Sequence, residues 1–496
     1  MKEFGLFING EWEAAKGGAT MESINPATEE VWANVAKADE SDVERAVAAA
    51  KASWDSGVWR DKSKEERAEI LRNIATVIMD RQEELIAAEV QDGGGTMRKA
   101  AFADIPGAAA TFEQFAKSLL EQEEEVEFEE AAPVPSRNIV RREPIGVCAG
   151  ITPWNFPAIM ASWKMAPALA AGNSSVMKPA SNTPTTTLMM AECCKQAGVP
   201  DGVMNAVSGP GGAVGEALAS HPDVRKVAFT GSTEIGRRIM QLASGTMKNI
   251  TLELGGKSPN IILEDADMDT AALGALYGTF FHSGQVCESG TRILVQESKY
   301  DELLEKMVEG AKRITVGDTM DMVTTLGPLV SKAQLDTVSN YVDIGKDEGA
   351  EVIMGGDRPD IEKGYYYNPT IFGNVDNSMR IAQEEIFGPV VSVIRFKDEE
   401  EAIRIANDSM YGLGGAVWSQ NEERALSIAR RIETGTVWIN DYHMINVRFP
   451  FGGYKQSGIG RELGPWGLGA YQEIKHIHVG QNVPADQKIY FGALFN

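Results

Sequence analysis

The chain has 496 residues, 43% of them hydrophobic and 24% charged, which is ample for more than one core and points to two or three intergrown domains. A formal net charge of −24 repels nucleic acid and anionic lipid, so neither is expected as a partner. The longest apolar-leaning stretch, Ala158 to Ala171, is too short for a membrane span and contains Lys164, and the opening residues lack a signal-like apolar run, so a cytoplasmic location is expected.

In chain order, Leu6 to Trp12 reads as a hairpin turning at Asn9-Gly10. Asp39 to Trp54 and Lys62 to Asp92 have helical periodicity, with Ser41 and Glu44 spaced as a capping box. Glu121 to Glu130 is dense in glutamate and is followed by Pro133 and Pro135, a pattern of an arm leaving the main body or of a solvated face. From Ile145 to Gly256 short apolar runs (Ile145 to Ile151, Ser174 to Met177, Val227 to Phe229) alternate with helical ones (Thr185 to Ala197, Gly212 to Ser220). Such alternation means a parallel sheet with crossover helices, a doubly wound α/β domain. Asn260 to Leu263 begins a second series, with helices near Ala271 to Phe281, Lys299 to Ile314 and Lys332 to Glu348, and further alternation from Val390 to Asn440.

The four cysteines fit neither a zinc ribbon nor a CxxC redox pair. Cys148, Cys193 and Cys194 read as small buried hydrophobes. Cys287 differs, because Phe281-His-Ser-Gly-Gln-Val-Cys-Glu-Ser-Gly290 is a loop composition that presents a thiol to a cleft. Glu253 ends a strand among leucines and is followed by Gly255-Gly256, a setting that raises a carboxyl pKa and suits a general base. Asn155, in the rigid Pro153-Trp-Asn-Phe-Pro157, can aim an amide at an oxyanion. Phe229-Thr-Gly231-Ser232-Thr233 is strand, glycine turn and helix start, suited to a pyrophosphate, and Gly209 to Gly215 adds a second glycine cluster. Lys178 closes a strand where open α/β sheets bind ligands. Taken singly, each of these also fits a structural role. Asp265 to Asp269 resembles a calcium loop, but Thr270 and Leu276 replace its glycine and bidentate glutamate, so a helix start is expected. His476 and His478 alternate as strand neighbours without further ligands, and no metal site is expected.

These blocks occur in one order along the chain, followed by Glu384-Glu-Ile-Phe-Gly-Pro389 and Pro450-Phe-Gly-Gly-Tyr-Lys-Gln-Ser-Gly458. In that order they closely resemble the aldehyde dehydrogenase superfamily over essentially the whole chain. The resemblance implies a Rossmann-like cofactor domain (1–125 and 143–255), an α/β catalytic domain (256–470), and a β oligomerisation arm with C-terminal tail (126–142 and 471–496). It implies oxidation of an aldehyde to a carboxylic acid with NAD or NADP, through a thioester on Cys287, in a homodimer or homotetramer. Glu253 then matches the water-activating base, Asn155 the oxyanion donor, and Glu462 a carboxylate that relays protons in some members. Ile151, Trp154, Lys178, Ser181, Gly211, Gly215, Gly231, Ser232, Glu385 and Phe387 match cofactor-binding positions. Phe156, Met160, Trp163, Val286, Ile445 and Phe451 match the substrate tunnel, an apolar lining that favours aliphatic or aromatic aldehydes. Asp441, His443 and Arg448 near its mouth argue for a charged group instead.

Two positions depart from the family pattern. Ser181 stands where many NAD-preferring members carry a glutamate for the ribose 2′-hydroxyl, so NADP is expected to be accepted. Glu288 follows the nucleophile directly, where a small or apolar residue is common, and is expected to turn away from the thiol. An acylating member that uses coenzyme A is argued against by Glu253, and a non-catalytic homologue by the intact Cys287, Glu253 and Asn155. Ester cleavage by the same thiol is a conceivable side activity.

Overall fold

The computed structural model describes residues 1–131 and 135–495. The expected hairpin forms: β1 (Lys2–Phe4) precedes β2 (Leu6–Ile8) and β3 (Glu11–Glu13), which turn at Asn9 and Gly10, both with positive φ. β4 (Thr20–Asn25) and β5 (Glu30–Ala36) join β1 in a small sheet. The helix Glu40–Ser56 does carry a capping box, but it runs between Asp39 and Asp42. Asp39 sits in the extended conformation a cap requires and Ser41 lies inside the helix, which displaces the expected Ser41–Glu44 box. The helical stretch expected from Lys62 to Asp92 is two helices, Lys64–Asp80 and Gln82–Gly93, joined at Arg81.

The glutamate-rich stretch is β6 (Glu125–Glu130), paired with β7 (Ser136–Pro144), which pairs along its length with the C-terminal strand β21 (Gln472–Gly480). Three residues of the expected arm, Ala132, Pro133 and Val134, lie outside the described residues, as does Asn496.

The first large sheet is built on β8 (Val147–Ile151), β9 (Ser174–Lys178), β10 (Met204–Ala206), β11 (Val224–Thr230) and β12 (Asn249–Glu253). The second takes β13 (Pro259–Ile262), β14 (Arg292–Gln296), β15 (Glu351–Met354), β16 (Thr370–Gly373), β17 (Val390–Phe396), β18 (Gly414–Trp418) and β19 (Thr436–Ile439). A short return strand, β20 (Gly458–Ile459), crosses back to lie antiparallel on β12. The first sheet therefore reads β20-β12-β11-β8-β9-β10-β2-β3 and the second β15-β16-β17-β14-β13-β18-β19. The central strands of both are parallel and buried on both faces, as crossover helices require. The doubly wound α/β expectation is met. Asp267 caps the helix Met268–Phe280, so the calcium-like segment is a helix start, as the missing glycine implied.

Candidate active site

The carboxyl ends of neighbouring strands make one rim. Lys178 ends β9 in register with Ile151 at the end of β8, and Thr230 ends β11 in register with Glu253 at the end of β12. Ligands of open α/β sheets bind beyond such ends. A cleft of about 880 Å³ lies there, between the rim and segments of the second sheet's half.

Cys287 enters from that second half, half-buried. The chain reaches it through His282, Ser283 and Gly284, at φ of 50°, 56° and 71°. Three successive left-handed residues, two of them with side chains, mark a turn held by its surroundings. Ser283 Oγ donates to the Gly327 carbonyl at 2.6 Å. A Cβ on Gly284 would run into the Gly388 carbonyl, so only glycine fits there. Gln285 is fully buried and accepts from Val330 N–H at 2.9 Å. Its own carbonyl accepts a 2.8 Å hydrogen bond from Asn155 Nδ2. The nucleophile loop thus fixes the Asn155 amide with one of its two hydrogens and leaves the other for a ligand.

Glu253 is buried, with no hydrogen-bond partner for either carboxylate oxygen among the described residues. Burial, then the charge of Glu462, pushes its carboxyl well above the usual range, against the pull of Lys164 and Arg461. Glu462 Oε1 accepts from Lys164 Nζ at 2.9 Å, and the same ammonium donates to Thr230 Oγ1 at 2.7 Å. Glu462 therefore sits behind Glu253 rather than on the cleft wall. Lys164, which had served only to interrupt an apolar run in the sequence, proves to be the cation of a buried carboxylate pair. A lysine at the centre of an otherwise apolar helix was the available signal.

Glu288 does not turn away from the thiol, contrary to expectation. Cys287 Sγ donates to Glu288 Oε2 at 3.1 Å, and His443 Nδ1 lies 3.2 Å from Glu288 Oε1. The Tyr442 hydroxyl donates to the Glu288 backbone carbonyl at 2.8 Å. The inward rotamer is selected because a buried carboxylate needs donors, and His443 and the thiol supply them. Burial and the Glu288 charge together push the Cys287 thiol well above its ordinary range. Burial alone would raise Glu288 too, but the hydrogen bond and charge of His443, with the hydrogen bonds from the Cys287 thiol and the Glu288 backbone, together outweigh it and hold that carboxyl below its usual value.

At the far end of the cleft Trp154 and Phe387 meet edge to face, ring centroids 5.1 Å apart. Phe387 has φ of 57°, and Gln334 Nε2 holds its carbonyl at 2.9 Å. Ser232 caps the helix Thr233–Ala243, and it lines the cleft with Gly211, Gly215 and Gly231. A Cβ on Gly211 or Gly212 would meet nothing within 4 Å, so that wall stands open for a ligand. Ser181 Oγ donates to the Gly209 carbonyl at 2.9 Å.

Toward the other mouth, Phe156, Met160, Trp163, Ile445 and Phe451 line the cleft, joined by Tyr277, Phe281 and Met444. Val286 does not line it. That residue is 3% exposed and begins a tight turn in which its carbonyl accepts from Ser289 N–H. Of the charged residues expected at the mouth, His443 lines the cleft, while Asp441 and Arg448 are exposed outside it. His476 and His478 both approach Asn138 Oδ1, at 2.9 and 3.0 Å, on the solvent face of β21.

Residues 12–477 match the model of the aldehyde dehydrogenase family. The chain belongs to that family. It is 46% identical over 477 residues to the betaine aldehyde dehydrogenase of Bacillus subtilis (strain 168), covering 95% of this chain and 96% of that one. It is 45% identical to an aldehyde dehydrogenase of Emericella nidulans, covering 96% and 94%. A crystal structure of betaine aldehyde dehydrogenase from Staphylococcus aureus in complex with NAD+ superposes with TM-score 0.94 at 42% identity, covering 97% of this chain and 95% of that chain. An NAD-dependent aldehyde dehydrogenase from Sinorhizobium meliloti superposes at 0.95 with 39% identity, covering 98% and 96%. The reaction is therefore oxidation of an aldehyde to a carboxylic acid with a nicotinamide dinucleotide as hydride acceptor.

The cleft fits that cofactor by its own chemistry. Lys178 is buried and its ammonium donates to the Pro179 carbonyl at 2.6 Å; burial pushes it down to about 8. Glu385 is a half-buried carboxylate pushed up to about 7 by desolvation, with Oε1 accepting from Gly256 N–H at 2.9 Å. A donor and an acceptor at this depth suit the hydroxyls of a ribose.

Proposed function

We propose that Cys287 is the nucleophile, Asn155 the oxyanion donor and Glu253 the base of the hydrolytic step, with Glu462 and Lys164 as its proton relay. The observation that carries this reading is the convergence of a thiol, an oriented amide and a buried carboxylate on one cleft whose far wall is open glycine. The Cys287 sulfur attacks the aldehyde carbon, and the carbonyl electron pair moves to oxygen. That oxyanion takes the second hydrogen of Asn155 Nδ2, whose first is committed to Gln285. When bound, the nicotinamide accepts the hydride from that carbon, and a thioester remains on Cys287. Glu253 then takes a proton from water as the water oxygen attacks the thioester carbon, and the acid and the free thiol result. Glu253 must be ionised for this, and the Glu462–Lys164 pair offers a path for its proton.

Lys178, Glu385, Ser181 and Ser232, with Gly211, Gly215, Gly231, Ile151, Trp154 and Phe387, are the residues proposed to hold the dinucleotide. Ser181 presents no carboxylate, so NADP is accepted as well as NAD. The apolar and aromatic mouth favours aliphatic or aromatic aldehydes. The three-stranded arm carries exposed Phe128, Ile474 and Ile477, which supports assembly of a homo-oligomer through it. The domain division 1–125 with 143–255, then 256–470, with 126–142 and 471–496 as arm and tail, is supported by the separate sheets, with β20 crossing from the second span to the edge of the first sheet. All four cysteines are free, which fits a reducing, cytoplasmic setting. A panel of aldehydes assayed for reduced-cofactor formation with NAD and NADP, beside Cys287→Ala, tests this reading. Turnover that survives Cys287→Ala overturns it.

A further inference from the structure

The thiol of Cys287 has one hydrogen-bond partner among the described residues, and it is not Glu253. It is Oε2 of the next residue, Glu288, at 3.1 Å. The other oxygen of that carboxylate faces His443 Nδ1 at 3.2 Å, and both side chains are at most 5% exposed. Thiol, carboxylate and imidazole thus form a line through the wall of the cleft. His443 holds its place at φ of 59°, a conformation a residue with a Cβ keeps only when its surroundings impose it. Its ring packs edge to face against Tyr442 at 4.8 Å and Tyr277 at 5.3 Å. Tyr442 also donates to the Glu288 carbonyl, so that one tyrosine touches both members. A Cβ on Gly414 would lie 3.0 Å from the Glu288 Cβ, so the glycine there lets Glu288 pack close against β18.

We propose that Glu288, oriented by His443, is the base that removes the Cys287 proton as the sulfur attacks the aldehyde, leaving Glu253 to the later hydrolysis alone. This rests on the reading of Cys287 as nucleophile. In the step, the S–C bond forms as the S–H bond breaks; the proton moves to Glu288 Oε2, and the carbonyl π pair moves to the oxygen held by Asn155. Loss of hydride to the dinucleotide then restores a C=O bond in the thioester, and Glu288 releases its proton to solvent. No further reactant is needed.

The division of labour follows from the two carboxylates' surroundings. Glu253 lacks a hydrogen-bonding partner, and burial and Glu462 disfavour its charged form, whereas hydrogen bonds from His443 and the Cys287 thiol favour the charged form of Glu288. A carboxylate already bonded to the thiol can accept its proton directly, and Glu253 makes no such bond. The groups that face Glu288 are the Cys287 thiol, His443, Tyr442 on the loop after β19, Tyr277 on the helix Met268–Phe280, and Glu253 at the end of β12. Of these, His443 approaches Glu288 Oε1 and the thiol approaches Oε2.

The test uses the full-length enzyme with Glu288→Gln, and rapid mixing to separate the first turnover of reduced cofactor from steady-state hydrolysis. The expected wild-type rate of the first turnover is flat through neutral pH, because its base is ionised there. In Glu288→Gln it falls about 100-fold at pH 7 and rises tenfold per pH unit until the thiol itself ionises. Iodoacetamide alkylation of Cys287 at pH 7 moves the opposite way and becomes faster, because a negative neighbour is gone. Opposite signs cannot come from misfolding. Glu253→Gln is expected to keep the first turnover and lose the steady state. The proposal is overturned if Glu288→Gln keeps a flat, wild-type first turnover, or if Glu253→Gln abolishes that turnover. Wild-type activity in Cys287→Ala would instead overturn the underlying assignment of the nucleophile.

Discussion

Replacing Asn155 with alanine isolates the oxyanion contribution, because the structure separates the two jobs of that amide. One hydrogen is committed to the Gln285 carbonyl at 2.8 Å, and the other is the one available to substrate. Removing a preorganised donor of this kind costs about 3–4 kcal/mol of transition-state stabilisation, or about 150- to 900-fold in kcat/KM. The Gln285 carbonyl also loses its partner in a fully buried place, which destabilises the fold by about 1–3 kcal/mol. The two effects have separate readouts: aldehyde turnover for the first and denaturant unfolding for the second. The loss should fall in kcat, since the oxyanion exists only after attack, and iodoacetamide should still alkylate Cys287. Asn155→Asp should be worse, as an ionised carboxylate donates nothing and repels the developing charge. A loss below tenfold, or one confined to KM, would show that the free hydrogen of Asn155 does not face the reacting oxygen.

Other consequences follow from the same geometry. Glu462 acts to raise the Glu253 carboxyl, and a base works only when ionised, so kcat climbs with pH through the raised value. Glu462→Gln removes a negative neighbour, keeps the Lys164 cation, and should move that acid limb to lower pH; a kcat–pH profile that stays put or moves to higher pH contradicts the relay. Ser181→Glu places a carboxylate where a 2′-phosphate would lie, and kcat/KM with NADP should drop at least about tenfold relative to NAD. Equal loss with both cofactors would mean that the residue does not face the ribose. Gly452→Ala puts a Cβ 2.8 Å from Glu253 Oε1 at φ of +156°, so the carboxylate must shift. Steady-state turnover should fall about tenfold while the first turnover persists, and equal loss in both phases would argue that Glu253 serves the earlier step as well.

Much of this molecule was legible in its sequence, for reasons that can be named. The strand-helix alternation from Ile145 onward survives because parallel central strands are buried on both faces and admit only apolar runs. Glu253, Lys178 and Ile151 were legible because each ends such a run, and the sheet then lines up the ends. Two errors arose where the local path of the chain decides the outcome. Ser41 loses the cap to Asp39 because the chain enters the helix two residues earlier than its spacing suggested. Val286 was placed on the tunnel wall by analogy of position, yet its turn buries it.

Glu288 shows a different, long-range limit at the reacting centre. Its place in the chain, beside a nucleophile, says only that an ionised side chain there is unwelcome to a thiolate. Whether it turns toward or away depends on which direction offers donors, and those come from residues more than 150 positions later: the His443 imidazole at |i−j| = 155 and the Tyr442 hydroxyl at |i−j| = 154. His443 had been read as a charge at the mouth; once paired it is part of the wall, and the mouth is left to apolar and aromatic side chains. One long-range contact thus changes two readings at once, turning an apparent hindrance to the thiol into its nearest proton acceptor and removing the main argument for a charged aldehyde.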